Sequence, residues 1–195
     1  MAETYMINEM YFMCEPKKRK SQKNIFRVLI NGAPIKIKSP RIYMPFGGEL
    51  YNDKIVLNFE IDPDKNNECH NFYAKLSQID IAFREINEKN YDHEESDDKY
   101  DNNNKLAPSN KIPYELINNV ENKQFISCIR NGKNGYIIRT HVKNGMVPHS
   151  YDNKDMYTLT QLKQMYAHVE LELYCLWTSA TSYGYIWYAS DVIVS

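Results

Sequence analysis

The chain has 195 residues, of which 43% are hydrophobic, 25% are charged and 16 are tyrosine, and its formal net charge is −1. This length fits one domain and leaves no room for two of ordinary size, and no apolar run approaches the roughly 18 residues of a membrane span. Four scattered cysteines without a CxxC pair exclude an ordinary zinc site and predict a reducing, intracellular location.

The near-neutral net charge hides an uneven distribution along the chain. Residues 1–60 carry 10 Lys and Arg against 6 Asp and Glu, residues 61–122 carry 7 against 14, and residues 123–195 carry 7 against 5. Both flanking parts are therefore basic and the middle part is acidic. A polyanion is an expected partner of the flanks if the acidic middle faces away from the site.

The N-terminal third of the chain predicts β-strands. Apolar stretches occur at residues 5–14, 25–30, 34–37 and 55–61. Turn signals at Asn31-Gly32 and Gly47-Gly48 punctuate them. A compact basic run, Lys17 to Lys20, lies between the first two stretches. It is read as a nuclear localisation patch, a mobile phosphate clamp or a solvated loop, and the sequence does not choose among these.

The period of the apolar residues changes between residues 69 and 87. There Phe72, Leu76, Ile79, Phe83 and Ile86 recur every three or four residues. This spacing predicts one amphipathic helix that caps an open end of the sheet.

An acidic and Asn-rich segment follows at about residues 90–111, where apolar residues nearly vanish. It predicts a mobile insertion within a single domain spanning residues 1–195, not a linker between two domains.

The C-terminal part returns to strands. Residues 124–130 and 136–142 flank a turn with two Asn-Gly signals and predict a hairpin. A short helix is expected at 158–166, and long strands are expected at 168–178 and 185–194. The whole pattern predicts a mainly β fold with helical insertions, a small barrel or sandwich with one amphipathic helix.

Motifs for catalysis are missing from the sequence. There is no GxSxG elbow, no GxxxxGK phosphate loop and no HExxH helix, and the five histidines lie singly. His141 and His149 straddle a Gly/Pro turn and offer a base and a ligand, but no nucleophile motif accompanies them. The sequence therefore predicts no enzyme, no cofactor and no metal site.

Basic residues are organised along two of the predicted strands. Lys36 and Lys38 alternate with isoleucines, so that one face of the strand is cationic while the other packs. Arg139 similarly shares a face with His141 and Lys143. This pattern favours phosphate contact, although polar-out alternation is common to half-exposed strands. The predicted phosphate-binding residues are Lys36, Lys38, Arg41, Lys54, Arg130, Lys133 and Arg139.

Aromatic residues interleave with these cations. Tyr183, Tyr185 and Trp187 alternate along the last strand and so project from one side of it, in the geometry on which successive bases stack. A place for Trp187 in the core is the equal alternative. The predicted stacking residues are Tyr43, Phe46, Tyr51, Tyr183, Tyr185 and Trp187.

The order of segments resembles a known family. PRIYMPFGG at residues 40–48, with YNDK and IVLNF at 51–59, is similar to a segment of the single-stranded-DNA-binding proteins of nucleocytoplasmic large DNA viruses, whose fold is similar to that of the phage gp2.5 type. The tryptophan strand at 169–177, the Tyr-Gly turn and the final strand at 191–194 look like the end of that family.

The resemblance implies an OB-fold-like five-stranded barrel with extra strands that coats single strands in viral replication, recombination or repair. It differs at the C terminus, where the gp2.5 type has an acidic tail and this chain reads Val194-Ser195. The acidic segment at 94–101 is the candidate for that recruiting role.

The leading prediction is therefore sequence-tolerant binding of single-stranded DNA, with RNA, replication proteins and homo-oligomers as further partners left open. No membrane partner is expected, and a viral protein of this kind would work in the host cytoplasm or nucleus. A structural or capsid-associated β protein and a host-interaction adaptor are the alternatives, both using a tyrosine-rich surface.

Overall fold

The computed structural model describes residues 10–13, 24–30, 33–88 and 120–195. The elements in chain order are β1 Met10–Met13, β2 Asn24–Ile30, β3 Ala33–Pro34, β4 Lys36–Lys38, β5 Ile42–Met44, β6 Gly48–Tyr51, β7 Lys54–Ile61, α1 Asn67–Glu88, β8 Gln124–Ile126, β9 Ile129–Asn131, β10 Tyr136–Val142, β11 His149–Ser150, a 3-10 helix Leu159–Leu162, β12 Met165–Thr178 and β13 Ser182–Val194.

Five of these strands close into a barrel. Hydrogen-bonded neighbours run from β5 to β7, β10, β13 and β12, and β12 pairs with β5 to complete the ring. β10 and β13 pair in parallel, and the other four pairs are antiparallel. Counted along the chain, the barrel strands therefore meet in the order first, second, third, fifth and fourth. The prediction of an OB-fold-like barrel with extra strands and one helix is confirmed.

The additional strands lengthen the barrel walls. β4 continues the line of β5 along β12, and β2 pairs with the far end of β12 and carries β1 at its edge. β6 forms a hairpin with β7, and β9 forms the predicted hairpin with β10. The β6–β7 hairpin ends at Tyr51 and Lys54, and the Tyr51 ring contacts Arg139 of β10.

The helix α1 packs on the core of the barrel. Phe72, Leu76, Ile79, Phe83 and Ile86 are all buried in the same cluster as the inward side chains of the strands. The predicted amphipathic helix and its apolar face are therefore confirmed. The Asn66 side chain starts the helix by accepting a hydrogen bond from the Cys69 backbone N–H at 2.8 Å.

The region around the short helix departs from the prediction. A 3-10 helix of four residues replaces the expected helix at 158–166, and β12 begins at Met165 rather than at 168. Gln164 has a φ of 62°, and its N–H donates to the Met44 carbonyl at 2.8 Å. The pairing with β5 thus starts one residue later, and the helix cannot continue.

Two predicted features lie outside the described residues: the Lys17 to Lys20 run and the acidic insertion at about 90–111. None of the described helices combines the length and the apolar character that a membrane-crossing helix needs.

Candidate nucleic-acid interface

OB barrels bind oligonucleotides on the face of their second and third strands. In this barrel those strands are β7 and β10. Leu57, Phe59 and Ile138 point into the core. Arg139 and His141 alternate with these inward positions, and therefore project from the outer face.

A tight hairpin turn brings two further side chains to this face. Asn52 and Asp53 have φ values of 47° and 59°, and they are the two central residues of a turn that pairs Tyr51 with Lys54. Asn and Asp tolerate this left-handed conformation better than most residues. The base of the hairpin packs closely against the 3-10 helix. Only a glycine fits there, because a Cβ on Gly48 would lie 2.6 Å from the Leu159 Cβ.

Arg139 stacks on Tyr51. Its guanidinium carbon lies 4.0 Å from the centre of the Tyr51 ring, and 51% of the Tyr51 surface is exposed. A guanidinium held flat against an aromatic ring presents a planar cation that can stack on a base and contact a phosphate. Within the described residues neither Arg139 nor Lys54 forms an ion pair, so their charge is available to a ligand.

Strand register continues this face in a cross-strand row over β4, β12, β13, β10 and β7. The row consists of Lys36, Glu172, Tyr188, His141 and Val56, each the pairing partner of the next. Adjacent strands are roughly 4.8 Å apart, so Lys36 lies about three strand spacings from His141. Three spacings are more than half of the five-stranded ring, and Lys36 and Lys38 line a pocket with Phe72 and Lys75 of α1. The two basic strands predicted from the sequence therefore lie on different parts of the barrel surface.

Two tyrosines in and beside this row were missed by the sequence analysis. The Tyr188 ring lies 4.7 Å from the Tyr174 ring and meets the His141 ring edge-on at 6.0 Å. All three are half-buried, so each exposes part of its ring. Together with the hairpin residues they form the outer strip, which consists of Tyr51, Lys54, Arg139, His141, Tyr174 and Tyr188.

His141 is kept neutral mainly by its burial and also by the positive charge of the outer strip. Burial, and then the nearby charges of Lys54 and Arg139, lower the pKa of His141 to about 4. The imidazole is therefore neutral at physiological pH. Its Nδ1 is buried and meets no hydrogen-bond partner among the described residues. An anion placed near the strip would be attracted by the charges of Lys54 and Arg139.

Lys36 and Lys38 face a carboxylate. Their ammonium groups lie 3.1 Å and 3.8 Å from the two oxygens of Glu170. The hydrogen bond and charge of Glu170 raise the pKa of Lys36. Both lysines are exposed, and exposed pairs of this kind are weak. Phosphate contact by Lys36 and Lys38 remains a prediction. A phosphate would have to compete with the Glu170 carboxylate for these two ammonium groups.

The other predicted cations and rings lie elsewhere. Arg130 is exposed on β9, and Lys133 is exposed in the turn before β10. Phe46 precedes β6 and is 46% exposed. Tyr43 lies on β5 and Arg41 directly precedes it, and both contact Tyr166 instead of the outer strip. Of the predicted site, the structure thus groups Tyr51, Lys54 and Arg139, and it separates Lys36, Arg41 and Tyr43 from them.

The predicted platform on β13 is wrong. Tyr183, Tyr185 and Trp187 share one side of the strand, but that side faces the core, and their relative exposures are 0%, 3% and 0%. The Tyr183 hydroxyl donates to the Phe83 and Arg84 carbonyls, and the Tyr185 hydroxyl donates to Asp80 Oδ1 at 2.7 Å. Partners on α1 make it possible to bury phenols that the sequence alone suggested were exposed.

No protein-family model and no curated protein matches the chain. Among solved structures, it is similar to the single-stranded DNA-binding protein from bacteriophage Enc34, with a TM-score of 0.46 and 9% identity over 94% of this chain and 89% of that one. The same phage protein in complex with ssDNA gives a TM-score of 0.46 and 9% identity over 92% and 93% of the two chains. Likeness of this degree carries no argument about the function of the present chain.

Proposed function

We propose that the chain binds single-stranded nucleic acid, chiefly DNA, with little dependence on base sequence, and that the outer strip is the contact surface. The proposal depends above all on the Arg139–Tyr51 stack beside the second and third strands of an OB barrel, next to Lys54, which forms no ion pair among the described residues. Aromatic rings stack on any base, and cations attract any phosphate, so neither contact reads sequence.

The barrel wall explains why a single strand fits better than a duplex. Bases can stack on the rings of Tyr51, Tyr174 and Tyr188 only when their faces are free. In a duplex those faces are already stacked on one another. The biological setting we propose is the protection of exposed single strands during viral DNA replication, recombination or repair, within an infected cell. That setting follows from the segments that resemble the proteins of large DNA viruses.

A protein–protein role is the second candidate, and exposed apolar side chains favour it. Leu50 is 76% exposed, Met156 is 63% exposed and Tyr151 is 87% exposed. Such residues suit the tyrosine-rich contact surface of a structural protein or a host-interaction adaptor.

Salt separates the two candidates. We would measure the anisotropy of labelled oligo-dT during titration with the full chain at low and at raised salt, with oligo-rU and a duplex as parallel ligands. Binding through phosphates should weaken steeply as salt rises, because it is driven by released counterions. Absence of binding, or equal affinity at both salt concentrations, would refute the proposed function and favour the protein–protein role, since apolar contacts hold or tighten in salt.

A further inference from the structure

A second group of cations and rings lies on the wall formed by β5 and β12. It consists of Arg41, Tyr43, Lys65 and Tyr166 and is called here the Tyr166 patch. These residues line a pocket of about 430 Å³ that also includes Glu60 and Asn134. None of them belongs to the outer strip.

The Tyr166 patch repeats the arrangement seen at Tyr51. The Arg41 guanidinium carbon lies 4.4 Å from the centre of the Tyr166 ring, and the Tyr43 ring lies 5.2 Å from it. The ammonium of Lys65 is 5.4 Å from the same centre. Arg41 is held in place because its Nε donates to Ser195 Oγ at 3.0 Å. Two cations thus converge on one tyrosine, with a second tyrosine beside it.

The two carboxylates that line the same pocket, Glu60 and Asp62, do not form ion pairs with these cations, and Asp62 Oδ1 accepts a hydrogen bond from the Asp64 backbone N–H at 3.0 Å. Among the described residues neither Arg41 nor Lys65 forms an ion pair. The carboxylate of Glu60 in the same pocket already accepts hydrogen bonds from the backbone N–H and the side-chain amide of Asn134, at 2.9 Å and 3.4 Å. The pocket therefore offers a planar cation, a point cation and two rings to an incoming group.

Strand β7 connects this patch to the outer strip. Tyr43 pairs with Glu60, whereas Arg139 pairs with Asn58, which is two residues earlier on the same strand. Two residues span roughly 7 Å along a strand, and neighbouring strands are roughly 4.8 Å apart. One extended strand of a few nucleotides can therefore reach both regions across the outer side of β7, since single OB folds occupy about 4–16 nucleotides.

We propose that the Tyr166 patch is a second contact region for the same single strand. A base stacks on Arg41 and Tyr166, and an adjacent phosphate lies at Lys65. This inference rests on the proposed function and adds to it a path around the barrel: short oligonucleotides occupy the outer strip alone, and longer ones gain affinity by engaging the patch.

Oligonucleotide length provides the test. The full chain and its Tyr166→Ala and Arg41→Ala variants would be titrated with labelled oligo-dT of about 4 and about 16 nucleotides, the limits of the usual site size. Tyr166→Phe keeps the ring, and Tyr151→Ala removes an exposed tyrosine outside both regions. Melting temperatures of all variants would show whether the fold is retained.

A long oligonucleotide offers more overlapping binding positions than a short one, which by itself raises its affinity. We expect the wild type to bind the long oligonucleotide more tightly than this statistical gain explains. Tyr166→Ala and Arg41→Ala should each lower the long-oligonucleotide affinity about fivefold or more, as loss of a stacked base predicts, and should leave the short one within twofold. Tyr166→Phe and Tyr151→Ala should behave as wild type. If the wild type binds both lengths but the variants lose nothing, or lose equally at both lengths, the second contact region is refuted while the proposed function stands. If the wild type binds neither the short nor the long oligonucleotide, both the proposed function and the second contact region are refuted.

Discussion

The inner and outer sides of the barrel strands both carry aromatic rings, but the two sides use them differently. On the inner side Tyr183, Tyr185 and Trp187 are buried in the core, and Tyr183 and Tyr185 contact α1. On the outer side Tyr188 and Tyr174 lie in contact, half-exposed, in line with His141. The difference shows that strand alternation reveals which rings share a side, whereas only the tertiary packing decides which side faces solvent.

The inner tyrosines attach the helix to the barrel. Asp80 on α1 accepts hydrogen bonds from Tyr185 and Ser127 and pairs with Arg84. Burial, followed by the proximity of Cys128 and Asp80, raises the pKa of Tyr185 well above its usual value. Tyr185 is therefore a permanent donor at physiological pH. Part of the tyrosine excess in the composition thus serves the core.

The largest effect should come from breaking the inner side. Trp187→Ala removes a fully buried ring, and such substitutions cost about 3–5 kcal/mol of unfolding free energy. Urea denaturation would measure this loss. At temperatures where the variant is folded, its affinity for oligo-dT should match that of the wild type. A variant of full stability with lost binding would assign Trp187 to the interface after all.

The next effect should come from the outer side. Tyr51→Ala should weaken oligo-dT binding by about 1–3 kcal/mol, the contribution of one stacked base, and should change the unfolding free energy by less than about 0.5 kcal/mol because the ring is half exposed. Anisotropy titration and urea denaturation measure the two quantities. Tyr51→Phe is the control that keeps the ring and should retain the affinity. Equal weakening of duplex binding would contradict stacking on Tyr51.

The cations of the outer strip should appear in the salt dependence. Arg139→Ala and Lys54→Ala should each reduce the slope of log K against log salt by about 1 and weaken all sequences alike. Arg139→Lys should keep the slope but lose affinity, because Lys cannot stack on Tyr51 as Arg does. The exposed Lys154, paired with Asp152 at 2.8 Å, supplies the control variant Lys154→Ala. Unchanged slopes in both outer-strip variants would exclude this surface as the phosphate site.

The smallest effect concerns pH. The pKa of His141 is lowered to about 4 in the folded chain from 6.5, so between these values the unfolded chain binds a proton that the folded chain does not. The associated stability is present in full above pH 6.5 and is lost as pH falls toward 4. Because the His141 ring is partly exposed, solvent screening limits this change in the free energy of unfolding to about 1 kcal/mol. In His141→Gln the urea midpoint should change less between pH 7 and pH 5 than it does in the wild type. An identical pH dependence in the two proteins would contradict the lowered pKa of His141.

Local patterns predicted much of the fold. The spacing of Phe72 to Ile86 predicted α1, and the double Asn-Gly turn predicted the β9–β10 hairpin, because both signals are confined to neighbouring residues. The burial of Tyr185 could not be predicted, because its partner Asp80 is 105 residues away along the chain. The Arg139–Tyr51 stack and the row through His141 and Tyr188 likewise depend on long-range register.

Ultraviolet cross-linking of oligo-dT to the full chain, followed by mass spectrometry of the linked peptides, tests the central claim most directly. The account predicts cross-links in peptides that contain Tyr51, His141 or Tyr188, which unlabelled oligo-dT abolishes and duplex does not. Cross-links confined to the exposed segment around Tyr151 and Met156, or none on β6, β10 and β13, would contradict binding on the outer strip.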